Sequence, residues 1–364
     1  MFNEVVDRPD PQQPDAHAPA VLLTTSGTTG EPKFVTHTAE TLSAITDSWP
    51  HFELNSQQVA VNAVPMVHAS GLGMLLGCIE HGARMVLLER FDPGAVLDAI
   101  ETHQCTWMLG LPFMFHAILE RQGMRPRNVS SLGFCLSGGD VCPIQLQQQF
   151  RTVFGIPLRS WWACTETWGS LTYRLRPGPV CRIVPGAEVR LVDEENRDVR
   201  RGEPGELLLR GPNVMVGYWA GPNRIDGATP DGWFHTGDLM RQGEGDELWF
   251  VGRRKDLIIR GGSNIAPAEV ESVLLANPVV RDAAVAGVPD PMLGQRVAAL
   301  VQLKPGVSSG AVDDILADVK AQLADYKVPE RLMVVDQVPR NPLGKIDRNL
   351  AAAMLANPRL MVAA

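Results

Sequence analysis

The residues best suited to bind an anion lie close together near the start of the printed chain. Residues 24–33 read Thr-Thr-Ser-Gly-Thr-Thr-Gly-Glu-Pro-Lys and directly follow the apolar run 21–23. The glycines let backbone N–H groups approach an anion, the hydroxyls can donate hydrogen bonds, and the lysine adds positive charge. This pattern predicts a polyphosphate-binding loop at the end of a buried strand. The candidate ligands are Thr25, Ser26, Gly27, Thr28, Thr29, Gly30 and Lys33.

The loop differs from the Walker A type of phosphate loop. Gly27 and Gly30 stand too close together for that pattern, and Lys33 follows a proline rather than a glycine. This difference weakens the interpretation of the chain as a kinase or GTPase. A cluster of small polar residues can also be an ordinary surface turn, so the choice depends on the rest of the chain.

The composition is that of a folded protein with a large core. Among 364 residues, 45% are hydrophobic and 20% charged, which excludes general disorder and predicts two or three structural units. The net charge of −8 argues against a broad nucleic-acid-binding face. No apolar run reaches the roughly 20 residues that span a bilayer, and the sequence shows no secretory signal, so we expect a cytoplasmic protein. The six cysteines have no metal-binding spacing, and we expect them to be reduced.

Short apolar runs alternate with helix-like segments from residue 21 to about residue 158. Alternation of this kind predicts a mostly parallel sheet with helices packed on it. The predicted strands lie near 59–64, 84–88, 106–109 and 132–136, and the predicted helices near 38–48, 71–80, 93–103, 112–121 and 143–153.

The pattern changes twice further along the chain. Residues 180–250 contain β-type segments separated by Gly, Pro and Asp, which predicts a small antiparallel barrel or sandwich. After Gly252, strands and helices in mixed order predict a compact α+β unit. The strands are expected near 256–260, 283–288, 296–302 and 331–335, and the helices near 266–276 and 309–324.

The predicted fold class is therefore α/β. We expect a large body with a mostly parallel sheet flanked by helices plus a small β-barrel-like part, followed by a small α+β C-terminal domain. The expected boundaries are a flexible arm at residues 1–19, the body at 20–252 with its β-rich part at 180–250, and the C-terminal domain at 253–364.

Seven motifs follow one another along the chain. They occupy residues 25–33, 137–140, 165–166, 232–238, 252–256, 261–265 and 341–348. Each motif is weak by itself, but the seven in this order resemble the acyl-adenylate-forming superfamily. That superfamily includes acyl-CoA synthetases, peptide-synthetase adenylation domains and luciferases. The segments 288–296 and 326–329 look most like those of acyl-CoA synthetases.

The resemblance implies an ATP-dependent acid–thiol ligase. A carboxylate would attack the α-phosphate of ATP, forming acyl-AMP and pyrophosphate, and a thiol would then take the acyl group. The carboxylate is already ionised at neutral pH, so no general base is needed. The chemistry calls instead for Mg²⁺, lysines and backbone donors that neutralise phosphoryl charge. The implied cofactors are ATP, Mg²⁺ and CoA.

The nucleotide residues carried over from the resemblance span the body. Glu166 is a suitable magnesium ligand by type, and Thr165 can donate to the α-phosphate. Trp162 stands where relatives carry a tyrosine that stacks on adenine. Gly138, Gly139 and Asp140 resemble the turn beside the adenine ring. Asp238 and Arg253 match the ribose contacts.

Three further roles follow from the same resemblance. Lys345 looks like the adenylation lysine, whose ammonium would bridge the carboxylate nucleophile and the α-phosphate. Lys255 occupies the hinge between the body and a mobile C-terminal lid domain. Gly261 and Gly262 would line the tunnel for the pantetheine arm of CoA.

The acid and the acceptor are less well defined. Residues 65–71, with His68, resemble the wall of the acyl pocket, and Ala163 would lie on its floor, although His68 can equally be a packed core histidine. The substrate is expected to be a small-molecule carboxylic acid. CoA is the favoured acceptor, and a separate carrier protein is the alternative.

One departure from the superfamily concerns the position of the phosphate loop. Relatives carry a further N-terminal subdomain before this loop, whereas here the loop begins close to Met1. We expect a naturally short enzyme, a homodimer that covers the apolar face left bare, or a truncated nucleotide-binding protein that has lost ligase activity.

Overall fold

The computed structural model describes residues 15–25, 33–222, 224–227, 231–341 and 344–357. Its first part contains seven strands and five helices. The strands are β1 (Pro19–Thr25), β2 (Lys33–Thr38), β3 (Val59–Asn62), β4 (Arg84–Leu87), β5 (Trp107–Gly110), β6 (Phe134–Ser137) and β7 (Leu158–Ser160). The helices are α1 (Ala39–Thr46), α2 (Ala69–Glu80), α3 (Pro93–His103), α4 (Pro112–Met124) and α5 (Ile144–Phe154).

Five of these strands form a parallel sheet in the order β4-β3-β5-β6-β7. Both faces of the sheet are covered, so successive residues of a strand alternate between two cores. On β5, Met108 packs with α3, α4 and α5, whereas Trp107 and Leu109 pack with Phe134 on the side of α2. The prediction of a parallel sheet flanked by helices is confirmed.

Local signals fix the ends of the helices that cover this sheet. The Asp92 side chain accepts a hydrogen bond from the Ala95 backbone N–H at 2.7 Å, and Pro93 occupies the first turn of α3. The same helix ends at Gln104, which adopts a left-handed conformation with φ 53°. These signals place α3 where the sequence predicts it.

Eight further strands of the body belong to antiparallel sheets. They are β8 (Leu171–Tyr173), β9 (Val180–Ile183), β10 (Glu188–Val192), β11 (Pro204–Arg210), β12 (Gly217–Gly221), β13 (Arg224–Asp226), β14 (Phe234–Gln242) and β15 (Glu247–Arg253). Six of them form one sheet in the order β10-β11-β14-β15-β9-β8. This sheet is the predicted barrel-like part.

A second antiparallel sheet combines the start of the body with its later part, in the order β1-β2-β12-β13. The strand before the phosphate loop, β1, is therefore not a member of the parallel sheet. The prediction that this strand is buried is wrong in part, because Leu23 is buried whereas Leu22 is 43% exposed. The strand lies at an edge, where one row of side chains faces outward.

The C-terminal unit contains β16 (Ile258–Arg260), β17 (Ser263–Ile265), α6 (Pro267–Ala276), β18 (Val280–Asp290), β19 (Gly294–Leu303), α7 (Val312–Gln322), β20 (Arg331–Val334) and α8 (Arg348–Ala356). Its sheet has the order β17-β16-β19-β18, and β20 pairs with β19 in parallel. Helices α6 and α7 cover one face and α8 the other. We call residues 15–253 the body and residues 257–357 the small domain, and the expected division between residues 252 and 253 stays a prediction.

None of the helices in the described residues is long and apolar enough to cross a membrane.

Candidate active site

A cavity of about 500 Å³ lies between the body and the small domain. It opens at the carboxyl ends of β6 and β7, which is where open parallel sheets commonly bind ligands. The body contributes residues from the segments after these two strands and from β14 and β15. The small domain contributes the segment that leads into α8. The lining includes Gly139, Asp140, Trp162, Ala163, Asp238, Arg253, Lys255 and Lys345.

One wall of the cavity is built around the Asp238 carboxylate. The indole N–H of Trp162 donates a hydrogen bond to Asp238 Oδ2 at 2.8 Å, and Arg253 Nε lies 3.2 Å from Asp238 Oδ1. Asp238 and Arg253 are cross-strand neighbours on β14 and β15. Burial raises the pKa of Asp238, whereas the Arg253 guanidinium opposes this effect. A hydrogen bond and an ion pair therefore join the three predicted nucleotide residues in one group.

The turn before α8 carries Lys345 into the same cavity. The Lys345 backbone N–H donates to Asn341 Oδ1 at 3.1 Å, and the Asn341 backbone N–H donates to the Lys345 carbonyl at 2.9 Å. Burial, and then the Arg253 guanidinium, lowers the pKa of Lys345, while Asp140 and Asp238 oppose this. The ammonium is thus presented to a cavity whose lining includes the carboxylates of Asp140 and Asp238.

The predicted magnesium ligand lies on a turn between β7 and β8. The Glu166 carbonyl accepts from the Met215 backbone N–H at 2.8 Å, and the Thr165 carbonyl lies 2.9 Å from His37 Nε2. These contacts fix the backbone of the turn. They leave the Glu166 carboxylate to other partners.

Tyr218 is a site residue that sequence reasoning missed. Its hydroxyl donates to Glu166 Oε1 at 3.1 Å, and Lys33 Nζ lies 4.8 Å from the centroid of its ring. Burial raises the pKa of Tyr218 and Glu166 adds to this, so the hydroxyl stays protonated and donates. Tyr218 stands opposite Val35 in the pairing of β12 with β2, a contact between distant segments that leaves no local sequence signal.

The two described ends of the phosphate loop lie side by side. Thr25 and Lys33 are directly opposite each other in the antiparallel pair β1–β2. The remaining predicted ligands, Ser26, Gly27, Thr28, Thr29 and Gly30, lie outside the described residues. Through Tyr218, Lys33 is close to Glu166, as a shared polyphosphate site requires.

The turn after β6 follows the predicted pattern. Gly138 is buried against Trp161, where an added Cβ would lie 3.1 Å from Trp161 Cε3. Gly139 has φ 81°, which favours glycine, and lines the cavity with Asp140. The backbone therefore passes close to the wall that carries Trp162.

Of the two expected acyl-pocket residues, Ala163 lines the cavity and His68 does not. His68 directly precedes α2, and burial followed by the charge of Lys345 lowers its pKa. Ala163 lines the cavity and also packs with Trp168. Trp168 was not predicted as a pocket residue. Helix α2 approaches its indole so closely that a Cβ on Gly73 would lie 1.8 Å from Trp168 Cζ3.

The predicted hinge and tunnel residues are separated. Lys255 lies in the short 3-10 turn Arg254–Asp256 and lines the cavity, and burial lowers its pKa. Gly261 and Gly262 form the turn between β16 and β17, with φ 56° and 82°. Neither glycine lines the cavity, so this arrangement does not bring them to the nucleotide residues.

Comparisons with known proteins identify the family of the chain. Residues 2–219 match the family model of the AMP-binding enzymes, and residues 269–345 match that of the AMP-binding enzyme C-terminal domain. The chain is 33% identical to a long-chain-fatty-acid–CoA ligase of Bacillus subtilis, over 91% of this chain and 61% of that protein. It is 36% identical to a feruloyl-CoA synthase of Amycolatopsis, over 90% of this chain and 68% of that protein.

Solved structures are similar over nearly the whole chain. ATP-bound MatB from Rhodopseudomonas palustris superposes with a TM-score of 0.86 at 28% identity, covering 94% of this chain and 69% of that one. The apo form of MatB gives a lower TM-score of 0.76. The chain spans 61% of the length of the Bacillus subtilis ligase. With both family models matched in order, the chain belongs to the AMP-binding enzyme family.

Proposed function

We propose that the protein is an ATP-dependent acid–thiol ligase that works through an acyl-adenylate. The observation that carries this proposal is the position of Lys345 in one cavity with Trp162, Asp238 and Arg253. A nucleotide-binding protein without ligase chemistry has no need of a partly buried ammonium at this place. The relatives from Bacillus subtilis and Amycolatopsis are named as a CoA ligase and a CoA synthase, which supports the same reaction class.

The nucleotide is assigned to the cavity from its polar and aromatic groups. We place the adenine between Trp162 and the turn 138–140, because an indole offers a broad stacking face and the turn brings the backbone close. We assign the ribose hydroxyls to Asp238 and Arg253, which together offer hydrogen-bond acceptors and donors. The phosphates extend toward Lys33 and Glu166.

The first step forms one bond and breaks one bond at phosphorus. A carboxylate oxygen of the acid bonds to the α-phosphorus of ATP, and the bond from that phosphorus to the bridging oxygen breaks, so that pyrophosphate leaves. Lys345 is the group whose positive charge can stabilise both anions as they meet. The second step transfers the acyl carbon to a thiol sulfur and releases AMP, and the thiol proton goes to solvent.

The residues around Glu166 can hold Mg²⁺ through one protein carboxylate. The described residues contain no group of three or more His, Cys, Asp or Glu that could hold a metal ion. Mg²⁺ commonly binds through one or two carboxylates and substrate phosphates while keeping several waters, so the single carboxylate of Glu166 is sufficient. When bound, the ion supplies charge neutralisation at the phosphates. Tyr218 holds the carboxylate in place by its hydrogen bond.

The orientation of the small domain matches the first step. Lys345 faces the nucleotide residues, whereas Gly261 and Gly262 do not line the cavity. The higher similarity to ATP-bound MatB than to apo MatB supports this assignment. We propose that rotation about Lys255 brings the glycine turn to the site for the second step.

CoA is the proposed acceptor, and a separate carrier protein is the alternative. The class of acid is a carboxylic acid whose chain enters between His68 and Ala163. The alternative function is nucleotide binding without ligase chemistry.

A pyrophosphate-release screen tests the proposed function. The protein is incubated with ATP, Mg²⁺ and a panel of aliphatic and aromatic acids, with and without CoA. Release that depends on one class of acid supports the ligase, and conversion to acyl-CoA identifies the acceptor. Binding of ATP by calorimetry with no release for any acid supports the nucleotide-binding alternative. Sedimentation of the same samples measures whether the chain forms the expected homodimer.

The pH dependence of the first step follows from Lys345. Because burial and Arg253 lower its pKa below the ordinary 10.5, the protonated form is lost at a lower pH than for an exposed lysine. The charged form is the active one, so we expect the rate to fall as the pH rises through the lowered pKa of Lys345, at a lower pH than an exposed lysine would give.

The variant Lys345→Arg distinguishes titration of Lys345 from titration of another group. In Lys345→Arg the guanidinium stays protonated across the range, so the alkaline decline should disappear even if the rate is lower. An identical decline in both proteins, measured as single-turnover pyrophosphate release, would assign the titration to another group.

Removing the Tyr218 hydroxyl should raise the Mg²⁺ concentration that the first step requires. In Tyr218→Phe the Glu166 carboxylate loses its hydrogen bond, and we expect the Mg²⁺ concentration for half-maximal pyrophosphate release to rise about tenfold, the usual size for such outer contacts. Tyr326→Phe is the control, since Tyr326 is 40% exposed and lies outside the cavity. An unchanged magnesium requirement in Tyr218→Phe would show that this contact does not orient Glu166.

A further inference from the structure

Helix α4 presents one row of side chains to the small domain. Phe113, His116 and Glu120 are spaced by three and four residues and therefore share a face. All three contact or approach residues of the small domain or of the turn before α8. Helix α4 is part of the body and contributes no predicted nucleotide ligand.

The outer end of this row forms an ion pair across the domains. Arg281 Nη2 donates to Glu120 Oε1 at 2.7 Å, joining β18 to α4. Among the described residues it is the one ion pair that joins the body to the small domain beyond the hinge turn. His116 Nε2 lies 3.6 Å from the same carboxylate. Burial lowers the pKa of His116, so its ring is neutral at pH 7 and Arg281 is the charged partner of Glu120.

The inner end of the row presses on the turn that carries Lys345. Gly344 has φ 78°, and a Cβ added to it would lie 2.3 Å from Phe113 Cε1. The backbone of the turn thus rests against the Phe113 ring with no room for a side chain. Only glycine satisfies both the left-handed conformation and this approach.

A chain of contacts links the two ends within the small domain. Asp282, the neighbour of Arg281, pairs with Arg340 at 2.7 Å, and Arg340 Nη1 donates to the Gly344 carbonyl at 2.8 Å. The ion pair at Glu120 is therefore connected, through Asp282 and Arg340, to the residue before Lys345.

A cavity of about 690 Å³ interrupts the packing between the two domains beside this row, and its lining includes Phe113, Asp282, Arg340 and Gly344. Away from the cavity, α6 packs against β15 and α5. The ion pair is therefore a charged contact at an interface that is only partly close-packed.

We propose that Glu120 and Arg281 are positioning residues for the first half-reaction, holding the small domain on α4 so that Lys345 enters the nucleotide cavity. This inference rests on the proposed function, because it concerns the orientation that serves adenylation. It assigns no role to the pair in the second step. Neither residue touches the nucleotide cavity.

Charge reversal tests the proposal. Arg281→Glu replaces an attraction by a repulsion, and we expect single-turnover pyrophosphate release to slow about three- to tenfold, as for a partly exposed pair. The double variant Glu120→Arg with Arg281→Glu restores the attraction and should recover most of the rate. Transfer from preformed acyl-adenylate to CoA should not slow in any of the variants, because the ion pair must separate before that step. Arg197→Glu is the control, because Arg197 pairs with Asp193 within one hairpin of the body.

A distance measurement separates this proposal from the proposed function. Spin labels at Val153→Cys on α5 and Asp314→Cys on α7 report the orientation of the domains without any turnover. The native cysteines are poor labelling sites, because burial raises the pKa of their thiols. We expect one main distance in the wild type with ATP, a broadened distribution in Arg281→Glu, and recovery in the double variant.

The positioning role and the proposed function are refuted by different results. If Arg281→Glu, shown to be folded by its thermal unfolding, changes neither the distances nor the rate, the positioning role is refuted. Failure of the double variant to recover also refutes it. If the wild type releases no pyrophosphate with any acid, the proposed function fails, and the spin-label distances alone decide whether the ion pair sets the orientation.

Discussion

Replacing Lys345 by alanine is expected to slow acid-dependent pyrophosphate release by about 10² to 10³-fold, the usual cost of removing a preorganised charge that stabilises a transition state. Affinity for ATP should change little, because Trp162, Asp238 and Arg253 remain in place. The ammonium is partly buried, and a buried charge acts on the reacting groups with little screening by water. Single-turnover release at saturating ATP and acid measures the effect.

An exposed lysine serves as the control for Lys345→Ala. Lys320→Ala removes a charge from the exposed side of α7 and should leave the rate unchanged. The second half-reaction, started from chemically prepared acyl-adenylate, should also be close to the wild-type rate in Lys345→Ala. A loss that is equal in both half-reactions would indicate that Lys345 supports the fold rather than the first step.

Asp238→Ala is expected to produce the second large effect, on nucleotide binding. Removing the carboxylate takes an acceptor from the ribose and releases both Trp162 and Arg253 from their present positions. Hydrogen bonds to charged groups contribute about 1.5–3 kcal/mol each, so we expect the KM for ATP to rise about 10 to 100-fold. Folding stability should fall only slightly, because Arg253 is 42% exposed and stays hydrated.

Comparing Asp238→Asn with Asp238→Ala tests whether the carboxylate is the cause of the higher KM for ATP. Asp238→Asn keeps an acceptor for Trp162 but loses the charge that faces Arg253, and its KM for ATP should fall between those of the wild type and Asp238→Ala. Asp313→Ala, at an exposed position of α7, is the control. If calorimetry finds wild-type ATP affinity in Asp238→Ala, the ribose is held elsewhere.

Much of the fold is predictable because its signals are local. Helix α3 begins at Asp92 and Pro93 and ends where Gln104 turns left-handed, and each of these signals lies within a few residues of the helix. The parallel strands are short apolar runs between such helices, so their order in the chain indicates a parallel sheet. The motifs around Asp238 and Arg253 also marked two residues that the structure brings together in one ion pair.

The rest depends on contacts between distant segments. Strand β2 pairs with β12 rather than with the parallel sheet, and this pairing brings Tyr218 to Glu166. Nothing within a few residues of Tyr218 marks it as a site residue. The same is true of Glu120 and Arg281, which are 161 residues apart in the chain and meet only in one orientation of the small domain. A pattern of residue types cannot specify how two domains are oriented.

Direct recovery of the acyl-adenylate is the sharpest test of the central claim. Wild-type protein is incubated with ATP, Mg²⁺ and an acid identified in the screen, without a thiol, and the bound small molecules are analysed by mass spectrometry. We predict acyl-AMP in near-stoichiometric amount with the wild type and almost none with Lys345→Ala. Recovery of unreacted ATP alone from the wild type, for every acid in the panel, would contradict the assignment of this cavity as an adenylation site.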